Sequence, residues 1–141
     1  MINLDTRYNR DDHFIPSIGG SRVPFAALGA AFIRMLTATF GIGADYDGTI
    51  LGDKQSDWFR NELCAERYTV TVIVSSIQVL TSNPVVESWG HYPEARRNFL
   101  DTIGQKCEGE RVLLLSGDVH HAEFSGGGGL VEVTSSGLTH R

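Results

Sequence analysis

Short apolar runs alternate along this chain with segments in which apolar residues recur at helical spacing. Continuous runs of branched aliphatic residues are typical of strands buried within a sheet. Three such runs lie at residues 70–74, 112–115 and 130–133, and a shorter one lies at residues 2–4. These runs predict four strands.

Two segments between the strands predict amphipathic helices. The first helix begins near Asp53 and places Trp58, Phe59 and Leu63 on one side. The second begins at Pro93, a residue that suits the first position of a helix. Its apolar positions at helical spacing are Ala95, Phe99 and Ile103. Because strands alternate with helices, we expect an α/β layered fold.

Residues 24–43 are nearly all apolar, and a membrane-spanning helix needs about 20 such residues. Arg34 lies in the middle of this segment, where a charge is costly in lipid. Glycines weaken its helical propensity further. We therefore expect a helix packed on the surface of the domain, and contact with a membrane is the less favoured alternative.

Composition narrows the classes of partner. The chain has 141 residues, 41% of them hydrophobic, and a net charge of −5. A broad electrostatic attraction to nucleic acid is therefore not expected. Cys64 and Cys107 match no metal-binding motif, and we expect buried thiols in preference to a disulfide. Nothing in the sequence assigns a cellular compartment.

Polar residues follow every predicted strand. In open α/β sheets, ligands bind beyond the carboxyl ends of the strands. The strand exits carry Asp5, Thr6 and Arg7; Ser75, Ser76 and Gln78; the segment 116–123; and Thr134, Ser135, Ser136 and His140. The exit at residues 116–123 is dense in side chains that bind metals.

Asp118 and His120 are the first candidates for a metal site. Residues two apart in an extended segment point to the same side, so this carboxylate and imidazole could face one pocket. Glu123 could turn back toward the same pocket, whereas His121 would point away. The spacing alone is equally compatible with a histidine that only hydrogen-bonds within a loop.

Residues 116–123 (Ser-Gly-Asp-Val-His-His-Ala-Glu) resemble the C-terminal signature of the PhoD-like metallophosphatases, within the calcineurin-like phosphoesterase superfamily. Asp118 stands where the wider superfamily has the first histidine of its Gly-His-x-His motif. Other segments resemble family motifs in the family's order: 4–11 (strand and arginine), 50–58 (Leu-Gly-x-x-Gln-x-x-Trp), 74–80 (Ser-x-x-Gln), 87–96 (Ser-Trp-x-x-x-Pro-x-x-Arg) and 134–140 (Thr-Ser-Ser-Gly).

The resemblance implies a fold and a position within it. This family is built on a four-layer αββα sandwich of two mixed sheets, and its N-terminal half carries the first metal-binding aspartates. Residues 1–141 would then be the C-terminal portion of such a domain, with the N-terminal half as a missing partner. The segment Asp11-Asp12-His13 lies in the wrong order for a family motif, and we expect it to be a loop.

The resemblance also implies chemistry: hydrolysis of a phosphate monoester or diester at a two-metal centre. Asp118, His120 and Glu123 would be metal ligands, with calcium and either iron or zinc as the expected ions. A further set of residues would contact the substrate, the metal-bound water or the ligands: Arg7, Ser76, Gln78 and His121. Arg7 is equally suited to an ion pair with Asp5 or Asp118.

Two other functions stay open at this stage. The chain could be a truncated, catalytically incomplete copy or a non-catalytic binding module, because the first metal-binding aspartates are missing from it. A serine hydrolase using Ser135 or Ser136 with His140 is disfavoured, since the Gly-x-Ser-x-Gly motif is absent. Trp89 and Arg96 are expected to be structural, packed at the helix that begins at Pro93.

Overall fold

The computed structural model describes residues 1–16, 25–65, 68–127 and 129–136. The strands are β1 (Ile2–Asn3), β2 (Thr71–Val74), β3 (Val112–Ser116), β4 (Ala122–Gly127) and β5 (Leu130–Ser135). The helices are α1 (Ala26–Thr39), α2 (Gly52–Glu62) and α3 (Pro93–Lys106), and a 3-10 turn at Trp89–His91 precedes α3. The α/β class is therefore confirmed.

The strands form one mixed sheet in the order β1-β2-β3-β5-β4. The four strands expected from the apolar runs are β1, β2, β3 and β5, and they are mutually parallel. β4 is antiparallel to β5 and was not predicted, because its glycines and serine carry no strand signal. Parallel strands place their carboxyl ends at one edge of the sheet, so the polar exits are brought together.

One face of the sheet is covered by α2 and α3. Ile73 and Leu114 belong to the same buried core as Phe59 and Leu63 of the α2 segment, together with Phe99 and Ile103 of α3. The expectation that Trp58 shares this side is wrong, because Trp58 is 43% exposed. Neighbouring helical residues are about 100° apart, so Trp58 turns away from the sheet when Phe59 faces it.

The opposite face of the sheet is apolar and more open. The side chains of Val72, Leu113 and Val133 alternate with the buried positions of their strands and are only half-buried. Val131 and Phe124 on the same face are exposed, at 48% and 81%. An apolar face of this kind is typical of a surface that packs against another layer.

The apolar segment at residues 24–43 contains α1, as expected, although Pro24 lies outside the described residues. Arg34 turns its guanidinium back onto the Ile15 carbonyl oxygen, with Nε and Nη2 at 3.0 and 2.8 Å. Phe25, Phe32 and Phe40 remain largely exposed. Among the described residues, no helix has the length and apolarity needed to cross a membrane.

Cys64 and Cys107 form a disulfide, so the expectation of free thiols is wrong. The bond joins the end of α2 to the end of α3, two helices that pack on the same face of the sheet. Their Cα atoms are 5.6 Å apart although 43 positions separate them in sequence. The fold brings the two thiols together, which their sequence spacing could not indicate.

Candidate active site at the strand ends

The carboxyl ends of the parallel strands meet around Gly117. The hydroxyl groups of Thr6, after β1, and Ser76, after β2, share a hydrogen bond. A methyl group at Gly117 would lie 3.7 Å from the carbonyl oxygen of Ser135 and 3.8 Å from that of Ser76. The exits of β1, β2, β3 and β5 therefore share one small region, as the parallel arrangement predicted.

Asp5 builds the turn that presents Arg7. Its carboxylate accepts hydrogen bonds from the backbone N–H groups of Tyr8 (3.0 Å) and Arg7 (2.9 Å), and both bonds lower its pKa. Gln55 of α2 pairs with the backbone of Asp5 in both directions, accepting from its N–H at 2.8 Å and donating to its oxygen at 2.7 Å. The glutamine of the Leu-Gly-x-x-Gln motif thus fixes the exit of β1.

Arg7 reaches across the site to Asp118. Arg7 Nη2 lies 3.5 Å from Asp118 Oδ1, and the two side chains are 56% and 39% exposed. An exposed pair at this distance is weak and easily exchanged for another partner. The guanidinium and the carboxylate are therefore both accessible to a ligand.

The loop after β3 is not extended. Asp118 and His120 have φ angles of 71° and 60°, in the left-handed region that few non-glycine residues adopt. The premise that residues two apart share a side is therefore wrong for this segment. Backbone strain of this kind is concentrated at functional sites. The N–H of His120 donates to the Ser136 hydroxyl at 3.1 Å. His140, the histidine of the serine-hydrolase alternative, lies outside the described residues.

Glu123 lies at the centre of a hydrogen-bond network on β4. It stands directly opposite Thr134 of β5. Gln78 Nε2 donates to Glu123 at 2.9 Å, His121 Nε2 lies 3.3 Å away, and the Ser125 hydroxyl donates at 3.1 Å. These contacts, that with Gln78 first, lower the pKa of Glu123. Its carboxylate is thus held in the charged form that a cation would require.

The metal centre expected here is not complete within the described residues. No group of three or more His, Cys, Asp or Glu side chains in that part of the chain is arranged to hold an ion. Carboxylates and imidazoles are suitable ligands in kind. Asp118, however, faces Arg7, and Glu123 is bound by Gln78 and His121. The side chains are of the kinds that bind metal ions, but too few of the described ones converge on one point to hold an ion.

A second charged cluster joins residues 10–13 to Glu87. Arg10 donates to Glu87, and His13 Nε2 lies 3.8 Å from the same carboxylate. The ring of His13 packs edge-on against His91, with centroids 5.2 Å apart. The segment containing His13 is a loop, as expected, and the Tyr92 hydroxyl donates to its backbone at Asp11, at 2.7 Å.

The fold and site define an α/β protein whose polar residues gather at the carboxyl ends of parallel strands. The sequence profile of the PhoD-like phosphatases matches residues 1–126, and the chain therefore belongs to this family. A solved structure described as "Structure of PhoD" superposes with a TM-score of 0.60 at 21% identity. The alignment covers 98% of this chain and 26% of that one, so this chain spans about a quarter of its length. No significant match was found among curated proteins.

Proposed function

We propose that this chain carries part of the active site of a metal-dependent phosphoric ester hydrolase. Membership of the PhoD-like family implies phosphatase or phosphodiesterase chemistry. The observation that carries the proposal is the meeting of Arg7 with Asp118 at the shared ends of the parallel strands. An accessible guanidinium beside a carboxylate-bearing, strained loop suits the binding of a phosphate ester.

Arg7 has the clearest proposed role. Its guanidinium can leave the weak contact with Asp118 and bind two phosphate oxygens together, as arginine does in bidentate phosphate recognition. The Ser76 hydroxyl lies at the same strand end, bonded to Thr6, and is proposed to contact the ester or its attacking water. His121 is proposed to hold the carboxylate of Glu123 in place.

Asp118, His120 and Glu123 are proposed as metal ligands. Asp118 stands where the wider superfamily has histidine, and an oxygen ligand suits a harder ion such as calcium. Iron or zinc beside His120 is compatible with an imidazole ligand. The remaining ligands would come from outside this chain, because the described residues lack a complete set.

We propose further that residues 1–141 are the C-terminal portion of a larger catalytic domain. The coverage of 26% of the similar solved chain supports this. The open apolar face at Val72, Leu113 and Val133 also supports it, since a second sheet would bury these side chains. The missing portion would then supply both the second layer and the other metal ligands.

A catalytically incomplete module is the second candidate function. The lack of a three-ligand group among the described residues favours it for the chain by itself. In that case the strand ends would bind a phosphate ester without hydrolysing it. The two candidates differ in turnover and agree on phosphate binding.

The test is hydrolysis of p-nitrophenyl phosphate and bis-p-nitrophenyl phosphate with calcium, iron and zinc each supplied. We expect no turnover from this chain alone and metal-dependent turnover from a longer polypeptide that includes it. His120→Ala should abolish that turnover, and Lys106→Gln on the exposed side of α3 is the matched control. Turnover that survives His120→Ala would contradict the proposed site.

A further inference from the structure

Glu132 is a fully buried carboxylate on β5 that no step of the proposed function uses. Its two oxygens accept the backbone N–H groups of Val79 and Leu80, both at 2.7 Å. A buried carboxylate is tolerated when hydrogen bonds replace its lost hydration. The side chain therefore binds the segment that leaves β2 directly after Gln78.

Arg96 of α3 holds the same segment through its carbonyl groups. Its Nε donates to the oxygen of Val79 at 2.6 Å, and its Nη2 donates to the oxygen of Leu80 at 2.7 Å. Glu132 and Arg96 thus satisfy both N–H groups and both carbonyl groups of two consecutive residues. The four bonds are all short, at 2.6 or 2.7 Å, so the segment is held on its N–H side and on its carbonyl side.

Gln78 is the residue that this arrangement fixes. Its own carbonyl oxygen accepts the Trp89 N–H at 2.9 Å, and its side chain is 2% exposed. Its Nε2 donates to Glu123 at 2.9 Å and to the Thr134 hydroxyl at 3.1 Å. Because Glu123 and Thr134 are directly opposite each other on β4 and β5, one amide group ties both strands to the exit of β2.

We propose that Glu132 and Arg96 are positioning residues that hold the Gln78 amide against Glu123. Glu132 and Thr134 are two apart on β5 and share the buried face, so one strand fixes both the backbone and the side chain of this segment. Gln78 then orients Glu123 and does not itself contact the substrate. The inference rests on the proposed function only in assigning Glu123 to the active site.

The experiment follows the side-chain amide of Gln78 by NMR in the full 141-residue chain, without metal or substrate. In the wild type this amide should exchange slowly with solvent because it is buried and doubly bonded. Arg96→Lys leaves one carbonyl without a donor, and Glu132→Gln places an amide against a backbone N–H. Both variants should accelerate exchange of the Gln78 amide by about tenfold. Arg97→Lys, on the adjacent exposed position of α3, should leave it unchanged.

A second spectrum tests whether Gln78 in turn orients Glu123. Gln78→Leu should shift the carboxyl carbon resonance of Glu123 while the backbone amides of Val79 and Leu80 stay protected. Should Glu132→Gln fail to fold, Arg96→Lys decides the matter. Unchanged exchange of the Gln78 amide in Arg96→Lys, or an unmoved Glu123 resonance in Gln78→Leu, would overturn the inference. The proposed hydrolase function is tested separately by the ester assay, so its failure can be distinguished from failure of this inference.

Discussion

Two charged regions of this molecule are built in opposite ways. At the strand ends, Arg7 and Asp118 are 3.5 Å apart and largely exposed. In the second cluster, Arg10 and Glu87 are in direct contact, with only 18% and 32% of their side chains accessible. In the first region the charged side chains are weakly paired and open to solvent, whereas in the second region they are in close contact and mostly buried.

The pKa values separate the regions in the same way. Contact with His13 and Arg10 lowers the pKa of Glu87 to about 2. Burial lowers the pKa of His91 to about 4 and raises that of Tyr92 to about 12. Strongly shifted pKa values often mark active sites, but structural networks produce them as well. Here the large shifts belong to the cluster that holds the loop, and the ligand-accessible charges lie elsewhere.

The largest effect on stability should come from the Cys64–Cys107 disulfide, because both regions are built on the core that it cross-links. Replacing Cys64 and Cys107 by serine removes a cross-link spanning 43 positions and should lower the free energy of unfolding by about 4 kcal/mol. Urea unfolding of the variant and of the reduced wild type measures this. Hydrogen exchange should rise in both regions together. Loss of protection in only one of them would show that they do not share a scaffold.

Glu87→Gln should weaken the second cluster alone, by about 1–2 kcal/mol at pH 7. Because the folded pKa of Glu87 lies below its ordinary value of 4.5, its ionised form stabilises the fold above that pH. This contribution should disappear as the pH falls from 4.5 toward 2. Urea midpoints across this range should decline less steeply for Glu87→Gln than for the wild type. Parallel declines would contradict the assignment.

His91→Gln tests the buried histidine of the same cluster. The folded pKa of about 4 lies below the ordinary 6.5, so the unfolded chain takes up the proton first. Stability should therefore fall as the pH drops from 6.5 toward 4. Glutamine can still donate to the Pro84 carbonyl oxygen, which His91 Nε2 contacts at 3.0 Å, and it does not titrate. The stability of the variant should no longer fall between pH 6.5 and pH 4. Below pH 4, its stability should fall with pH as that of the wild type does.

The sequence was most informative where burial dictates the structure. The apolar runs predicted β2 and β3, and Pro93 with its spaced apolar residues predicted α3, because these elements share one core. β4 escaped prediction because its pairing depends on the neighbouring strand β5 and its glycines carry no strand preference.

At the strand ends, the sequence predicted which loops meet and not the conformation of those loops. Parallel strands made the meeting of Ser76, Gly117 and Ser135 predictable. The left-handed conformations of Asp118 and His120 could not be read from an apparently extended segment. The role of Glu132 was hidden for a similar reason, since an acidic residue within an apolar strand signals nothing until its backbone partners are known.

The smallest effect on stability is expected for the substitution of Arg7, and its comparison with the substitution of Arg10 contrasts the two regions directly. Arg7→Ala should change the free energy of unfolding by less than about 0.5 kcal/mol, because Asp118 remains hydrated after its partner is lost. Arg10→Ala should cost about 1–3 kcal/mol, because it leaves the half-buried Glu87 without its closest cation.

In a titration with inorganic phosphate, the two substitutions should show the opposite order of effects. Arg7→Ala should weaken binding by about tenfold, since a charge-assisted bond to phosphate is worth roughly that factor, while Arg10→Ala should leave it unchanged. Equal phosphate affinity in both variants would remove Arg7 from the proposed site, and equal losses of stability would remove the distinction between the two regions.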